Sequence, residues 1–444
     1  MAQPRALLVQ PWIADFAAYD FWIHPLGLLF VAGFLAQRGW SLDWLDLLAG
    51  ARVAPSRADG RGPLAARAFA LPDGLGANRL PRAGRSYRGY GISAGAARGR
   101  LATLARPDVI LLTSQMTYWY PGVRAAVRQL RRRFPDVPLW LGGGYAALAP
   151  RHAAATPGVT GIVAERRLGP ALETLSHALR LPPPTAEELE RAQPAWGLVG
   201  ATPHAAWLTS WGCPGRCPYC ATPATFGAWQ ARRHDVLLDE LGQLARRQDV
   251  RHLAIYDDAL LFRAQHHFLP LADAIRGDRQ LRSRFRWHLP NAVHPRWIDR
   301  RVAAALAALE VDTLWLGAES FDAAWLQATG GKVTPEETAA AVAHLQAAGL
   351  PRRRIGAYIL GGLPGQEDAS VLSALAAAHR LGLRVALASY SPIPGTPSFT
   401  SLAASEPRLR QEPLWQNNTL REMESPERWR ALRDEVRRLN SALS

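Results

Sequence analysis

Two successive series of short apolar segments organise the chain. In the first series the apolar runs are continuous and do not alternate with polar residues, as in strands buried on both faces of a parallel sheet. These runs lie at 5–12, 41–47, 107–113, 137–141 and 159–164, with helical patterns at 25–38 and 123–134. This α/β alternation predicts an N-terminal Rossmann-like (flavodoxin-like) domain built on a parallel sheet.

The second series alternates strand and helix patterns through the rest of the chain. Its predicted strands lie at 205–210, 252–256, 285–289, 311–317, 355–360 and 384–389, and its helices near 231–247, 262–279, 296–309, 334–348 and 368–381. The fourth helix has a clear start, because Thr334 and Glu337 form a capping box around Pro335. Six such β/α units predict a partial (β/α)6 TIM-type barrel, whose active site lies at the carboxyl ends of its strands.

The two series divide the chain into domains. We predict an α/β domain at 1–180, a proline-rich linker at 181–203, a barrel at 204–398 and a helical C-terminal segment at 399–444. Within the first domain, 51–100 is rich in Arg, Gly, Ala and Pro, and is interpreted as an irregular basic insertion. Its one structured piece is predicted at Tyr87–Tyr90.

Composition narrows the class of protein. Hydrophobic residues make up 48% of the 444 residues and charged residues 20%, which is typical of a globular chain. The net charge of +15 is carried almost wholly by arginine, and Lys332 is the only lysine. We attribute this bias mainly to genomic base composition and interpret Arg131–Arg133 and Arg352–Arg354 as solvated helix faces, so a nucleic-acid partner is not expected.

No apolar stretch predicts a membrane span. The longest, 21–35, contains His24 and is shorter than the ~18–20 residues that a spanning helix needs. We therefore expect a cytoplasmic protein without a membrane partner.

The three cysteines are the strongest chemical signal. Cys213, Cys217 and Cys220 are the only ones in the chain, and they follow the first predicted barrel strand with C-x3-C-x2-C spacing. An odd, clustered set is not a disulfide framework. Three thiolates on one loop can each bind one iron of a [4Fe–4S] cube, leaving the fourth iron open. The alternative is a zinc site with His204 or a histidine distant in the sequence as the fourth ligand.

Over residues 204–398 the chain resembles the radical S-adenosylmethionine (SAM) superfamily. The resemblance starts from the cysteine spacing and continues at the ends of the later strands. The matching pieces are Tyr219, Tyr256–Asp258, Asn291, Gly317–Ser320, Gly361–Gln366 and Pro392–Thr396. Each falls where a barrel active site is built.

The resemblance implies cofactors and site residues. A [4Fe–4S] cluster on the three cysteines would reduce SAM to methionine and a 5′-deoxyadenosyl radical that abstracts hydrogen from substrate. The residues implied in SAM binding are Tyr219, Asp257, Asp258, Asn291, Glu319, Gly361 and Gly362. For the two aspartates a helix-capping role is the alternative. The implied partners are a small-molecule or peptide substrate and an external electron donor of flavodoxin or ferredoxin type, and no catalytic residue is identified.

The N-terminal region resembles the cobalamin (B12)-binding-like domain that precedes many radical SAM barrels. The pieces that carry this resemblance are Pro25–Leu28, Thr113–Gln115 and Leu141–Gly144. The residues implied in cobalamin binding are His24, Ser114, Gly143 and Gly144. His24 departs from the D-x-H-x-x-G pattern because Asp20 lies four residues before it, so we favour a capping or core role for this histidine.

The sequence leaves three functions open. The first is a radical SAM enzyme that uses cobalamin to methylate an unactivated centre. The second is a radical SAM rearrangement or oxidation enzyme whose B12 domain is non-functional. The third, from another class, is a non-catalytic metal- or nucleic-acid-binding protein. The sequence argues against a methylthiotransferase, because members of that class place a second cluster on three N-terminal cysteines and none precedes Cys213.

Overall fold

A computed structural model describes residues 3–19, 24–49 and 87–443, with the backbone of a short strand at 66–67. Most of the predicted 51–100 insertion lies outside the described residues, as does Asp20. The chain divides into two compact units. One comprises Met1–Gly200 and Pro407–Leu420, and the other comprises Ala201–Glu406 and Arg421–Ser444.

The strands alternate with helices along most of the chain. They are β1 (Arg5–Gln10), β2 (Ile13–Asp15), β3 (Ser41–Asp46), β4 (Ala66–Arg67), β5 (Arg88–Tyr90), β6 (Val109–Thr113), β7 (Leu139–Gly142), β8 (Gly161–Ile162), β9 (His204–Trp207), β10 (Ser210–Trp211), β11 (Gln230–Ala231), β12 (His252–Ile255), β13 (Arg286–Val293), β14 (Thr313–Glu319), β15 (Ile355–Gly361) and β16 (Arg384–Ser389).

The helices vary in length from one turn to more than four turns. They are α1 (Leu26–Gln37), α2 (Ala94–Thr103), α3 (Tyr120–Arg133), α4 (Gly144–Leu148), α5 (Pro150–Ala154), α6 (Leu168–Ala178), α7 (Ala186–Glu190), α8 (Thr222–Thr225), α9 (His234–Arg246), α10 (Phe268–Gly277), α11 (Arg300–Ala308), α12 (Ala323–Ala328), α13 (Pro335–Ala347), α14 (Asp368–Arg380), α15 (Pro397–Ser405), α16 (Arg408–Gln411), α17 (Asn418–Met423) and α18 (Pro426–Ser441).

The first unit is built on a five-stranded parallel sheet. Its strand order is β3-β1-β6-β7-β8, which is the doubly wound, flavodoxin-like order. The buried side chains of β1 and β6, such as Leu8 and Leu111, pack with Phe34 and Leu35 of α1 in one core cluster. The predicted N-terminal Rossmann-like sheet is confirmed.

The second unit is built on a six-stranded parallel sheet. The strands follow sequence order, from β9 through β12, β13, β14 and β15 to β16, with helices in the connections. This is the topology of a (β/α)6 barrel that does not close. It confirms the predicted partial barrel.

Two local features depart from the predicted pattern. The insertion predicted as irregular contains β5, as expected, but also the helix α2, whose first turn is capped by the Ser93 side chain accepting from Ala96 N. The sequence did not indicate that the C-terminal helical segment 399–444 divides between the units, with 407–420 in the first and 399–406 and 421–444 in the second. No helix among the described residues is long and apolar enough to cross a membrane.

Buried histidines in the second unit make folding sensitive to acid. His252 Nδ1 lies 2.9 Å from His288 Nε2, and His288 Nδ1 lies 2.9 Å from Thr313 Oγ1. His288 and His267 are fully buried, and burial lowers the pKa of His288 to about 2 and that of His267 to about 4. Both rings are therefore neutral in the folded chain throughout the physiological range.

We expect the free energy of unfolding to fall as the pH drops below 6.5. The unfolded chain protonates these histidines near their ordinary pKa of about 6.5 while the folded chain does not, so each costs up to about 1.4 kcal/mol per pH unit down to its folded pKa. Urea denaturation at pH 7.5, 6 and 5 measures this slope. His288→Asn should make the slope shallower, and equal stability at pH 7.5 and pH 5 would contradict the assignment.

Candidate functional site

The cysteine loop follows β9 and β10 at the carboxyl end of the first barrel strand. Gly212 makes the turn into it with a φ of +73°, and a Cβ there would lie 2.7 Å from the carbonyl oxygens of Gly227 and Ala228. Only glycine fits this conformation and this close approach. Within the loop, Gly215 N donates to Cys213 Sγ at 3.3 Å.

The three thiols are partly buried and have no disulfide partner. Burial raises the pKa of Cys213 to about 11 and also raises that of Cys217. Burial therefore disfavours ionisation of Cys213 and Cys217, and a bound metal ionises such thiols. A Cβ on Gly215 would lie 3.3 Å from Cys213 Sγ and 4.0 Å from Cys217 Sγ, so the glycine keeps the space between these sulfurs clear.

The described residues contain no group of three His, Cys, Asp or Glu side chains placed to hold a single metal ion. A cubane cluster does not require such convergence, because each thiolate binds a different iron. The donor set of three thiols on a glycine- and proline-shaped loop fits the cluster, and the zinc alternative gains no support from the residues described.

A histidine that the sequence did not single out lies beside the first thiol. His294 Nε2 is 4.0 Å from Cys213 Sγ, and the ring stacks on Trp297 with centroids 4.3 Å apart. Burial, with help from Lys332 and Arg296, lowers the pKa of His294 well below its ordinary value. A neutral imidazole therefore borders the cysteine loop.

The predicted site residue Glu319 is paired with the chain's only lysine. Lys332 Nζ lies 2.5 Å from Glu319 Oε1, and each side chain is only 9% exposed. Burial alone would lower the pKa of Lys332, but Glu319 and the thiols of Cys217 and Cys220 raise it above its ordinary value. Sequence reasoning missed this pair, although Lys332 was distinguished by being the only lysine.

Glycines shape the space around this ion pair. A Cβ on Gly317 would collide with Lys332 Nζ and lie 3.1 Å from Glu319 Oε1. Gly330 has a φ of +103°, and a Cβ there would come within 3.2 Å of Arg216 O in the cysteine loop. The turn that delivers Lys332 therefore lies directly against the loop that carries the thiols.

The other predicted SAM contacts are brought to the same edge of the sheet. Asp257 and Asp258 follow β12, and Asn291 lies in β13 with its amide donating to Asp257 O at 3.0 Å. The Asp257 carboxylate accepts hydrogen bonds from Thr209 and Ser210, and Asp258 from Thr222. The two aspartate side chains therefore contact the segments that flank the cysteine loop.

Tyr219, Gly361 and Gly362 lie at the opposite side of the barrel edge. The Tyr219 ring packs against a cluster of Leu360, Leu363 and Tyr390, and its hydroxyl hydrogen-bonds with Cys217. Gly362 has a φ of +85°, and a Cβ there would lie 2.8 Å from the Trp429 ring. This glycine is therefore required by its own neighbours, whatever ligand lies above it.

In the first unit the residues predicted for cobalamin pack closely against neighbouring residues of the chain. A Cβ on Gly143 would lie 2.5 Å from Thr113 Oγ1 and 2.6 Å from Ser114 O, and one on Gly144 would overlap Gln115 O. His24 is buried with its ring edge-on to Trp196 at 5.2 Å.

The first unit also contains a hydrogen-bond network that the sequence analysis missed. The buried Asp15 accepts from Trp119 Nε1 and from Asn417 Nδ2, both at 2.7 Å. Thr117 donates to Gln416 at 2.5 Å. This network binds Gln416 and Asn417 to the end of β2 and to the segment after β6, and no local sequence signal linked residues so far apart.

Residues 207–385 match the family model of the radical SAM superfamily. The cysteine loop begins six residues into this match, and the matched region ends within the last strand of the barrel. The chain therefore carries a radical SAM domain, and the superfamily resemblance seen in the sequence is confirmed.

Solved structures of similar fold extend the comparison to the first unit. The radical S-adenosylmethionine methyltransferase TsrM from Kitasatospora setae matches 91% of this chain and 76% of its own, with a TM-score of 0.65 and 18% identity. The cobalamin-dependent S-adenosylmethionine radical enzyme OxsB matches 92% of this chain and 56% of its own, with a TM-score of 0.56 and 12% identity. The chain shares the fold of these proteins, with the B12-binding-like domain N-terminal to the barrel.

One curated relative matches over part of its length. An uncharacterized methyltransferase from Pyrococcus horikoshii is 24% identical over 196 residues, which are 44% of this chain and 41% of the relative. The chain thus spans less than half of that relative.

Proposed function

We propose that this protein is a radical SAM enzyme that binds a [4Fe–4S] cluster through Cys213, Cys217 and Cys220. The observation that carries the proposal is the position of the three thiols, on one loop at the carboxyl end of the first strand of a domain that matches the superfamily. A cluster held by three cysteines has one iron open to SAM and supplies the electron for reductive cleavage of its sulfonium bond.

The chain's own residues bind and orient SAM and exclude water from it. The Glu319 carboxylate and the Lys332 ammonium lie beside the thiols. Once their ion pair is broken, the carboxylate suits the amino group of SAM and the ammonium suits its carboxylate group. Tyr219 and Gly361–Gly362 border the same edge of the barrel. A small-molecule or peptide substrate and an external flavodoxin- or ferredoxin-type donor complete the proposal.

For the reaction class we propose methyl transfer. It is supported by the shared fold with TsrM, whose structure has been solved with cobalamin and with tryptophan as substrate, and by the methyltransferase relative. The argument for cobalamin rests on the fold of the first unit. His24, buried against Trp196, is not proposed as a cobalt ligand.

Anaerobic reconstitution tests the proposal. Protein loaded with iron and sulfide, reduced with dithionite and given SAM should release 5′-deoxyadenosine or, if SAM is the methyl donor, S-adenosylhomocysteine. Zinc in place of iron, or SAM left intact with a full cluster, would refute it. Protein from a host supplied with B12 should carry corrinoid, and its absence would favour the rearrangement or oxidation alternative.

A further inference from the structure

The segment before the cysteine loop is held by one buried carboxylate. Asp257 Oδ1 accepts from Thr209 N at 2.7 Å, and Oδ2 accepts from Thr209 Oγ1 at 2.6 Å and Ser210 Oγ at 2.5 Å. All three residues are at most 5% exposed. Ser210 lies three residues before Cys213, so these bonds fix the chain just where the loop begins.

The segment after the cysteine loop is held by Asp258, the residue that follows Asp257. Thr222 Oγ1 donates to Asp258 Oδ1 at 3.3 Å, two residues beyond Cys220. Thr222 N also donates to Cys220 Sγ at 3.5 Å, so a residue bound to Asp258 is in direct contact with a thiol. The two adjacent aspartates therefore contact opposite ends of the cysteine loop.

The strand end that carries the aspartates is itself fixed from both sides. Asn291 Nδ2 of β13 donates to Tyr256 O at 3.3 Å and to Asp257 O at 3.0 Å. On the other side, Thr209 Oγ1 lies 2.8 Å from His267 Nε2, whose Nδ1 lies 3.4 Å from His234 Nε2. Since the Thr209 hydroxyl donates to Asp257, the imidazole donates to the hydroxyl.

We propose that Asp257 and Asp258 are positioning residues that bracket the cysteine loop and hold the three thiols in the arrangement that accepts the cluster. The proposal rests on the proposed function for the identity of the cluster, but the bracketing itself is a property of the metal-free chain. It assigns Asp257 a role different from direct contact with SAM, because both of its oxygens already accept hydrogen bonds from the chain. Hydrogen bonds to a buried charge are among the strongest in proteins.

The test compares how fast each thiol of the metal-free protein reacts with iodoacetamide. Trypsin cleaves after Arg216, so Cys213 falls in a different peptide from Cys217 and Cys220, and mass spectrometry follows the two peptides separately. We expect Asp257→Ala to speed alkylation of the peptide that carries Cys213 by about tenfold or more, and Asp258→Ala to speed alkylation of the peptide that carries Cys217 and Cys220. Both variants should also take up less iron on reconstitution.

Asp15 supplies a matched control in the first unit. It is likewise a buried carboxylate with several donors, so Asp15→Ala should cost comparable stability while leaving thiol reactivity and iron uptake at the wild-type level. If Asp257→Ala lowers the melting temperature but alkylates and binds iron like Asp15→Ala, the aspartate is only structural and the proposal is wrong.

A second pair of variants keeps the proposal testable if Asp257→Ala does not fold. Thr209→Val removes one donor at constant shape and should speed Cys213 alkylation, whereas Thr209→Ser, which keeps the hydroxyl, should restore the wild-type rate. Equal rates for the two would overturn the bracketing. A wild-type chain that binds no iron would instead refute the proposed function and leave the alkylation result standing.

Discussion

Cys217→Ser is expected to abolish cluster binding and reduce SAM cleavage by more than about 100-fold. A serine hydroxyl does not ionise near neutral pH and is a poor ligand for iron, so only two thiolates would remain for the cube. Because Cys217 is the central thiol and is partly buried beside Lys332, no other cysteine can replace it. Iron and sulfide content, the visible absorption of the cluster and product release from SAM measure the effect.

The control for this variant lies close by in the chain. Thr225 bonds only to the backbone of α8 and its cap, with Oγ1 donating to Ala221 O at 2.9 Å, so Thr225→Ala should bind iron as the wild type does. A Cys217→Ser protein with a full, redox-active cluster would show that the thiols are not the ligands. Zinc retained by the wild type but lost from the variant would favour a zinc site.

The parts of the fold that could be predicted are those encoded locally. The capping box of α13 is an example, since Glu337 N donates to Thr334 Oγ1 at 3.2 Å and Thr334 N to Glu337 Oε2 at 2.8 Å, as the four-residue pattern indicated. The continuous apolar runs predicted the parallel strands because both faces of such strands are buried. The helix α2 was missed because its Ala-, Gly- and Arg-rich sequence carries no apolar periodicity.

The residues of the candidate site also fall into those that the sequence could predict locally and those that only the fold brings together. The cysteines lie within eight residues, so their spacing alone indicated a cluster. His294, by contrast, reaches Cys213 from 81 residues away, and only the parallel order of the strands brings the two together. Asp257 was predicted from the sequence as a functional carboxylate, but its hydrogen-bond partners in the preceding strand loop could not be read from spacing. Parallel sheets place such partners across long connections.

Lys332→Met is expected to destabilise the metal-free protein by about 3–5 kcal/mol, because it leaves the Glu319 carboxylate buried without its partner. The methionine matches the length of the lysine side chain, so the loss measures the charge and not a cavity. The left-handed backbone of Glu319, with a φ of +62°, and the neighbouring Gly317 leave that carboxylate little freedom to turn towards solvent. Urea denaturation under anaerobic conditions gives the free energy of unfolding.

The double variant Lys332→Met with Glu319→Gln distinguishes destabilisation caused by the unpaired charge from destabilisation caused by altered packing. Removing both charges should recover much of the stability lost in Lys332→Met, since the buried group left behind is then neutral. Lys332→Arg keeps the charge but adds a larger head group. The space around Nζ is tight, because a Cβ on Gly317 would already collide with that atom. We therefore expect the free energy of unfolding to fall by about 1–3 kcal/mol from overpacking. A Lys332→Met protein as stable as the wild type would show that the pair does not stabilise this edge of the barrel.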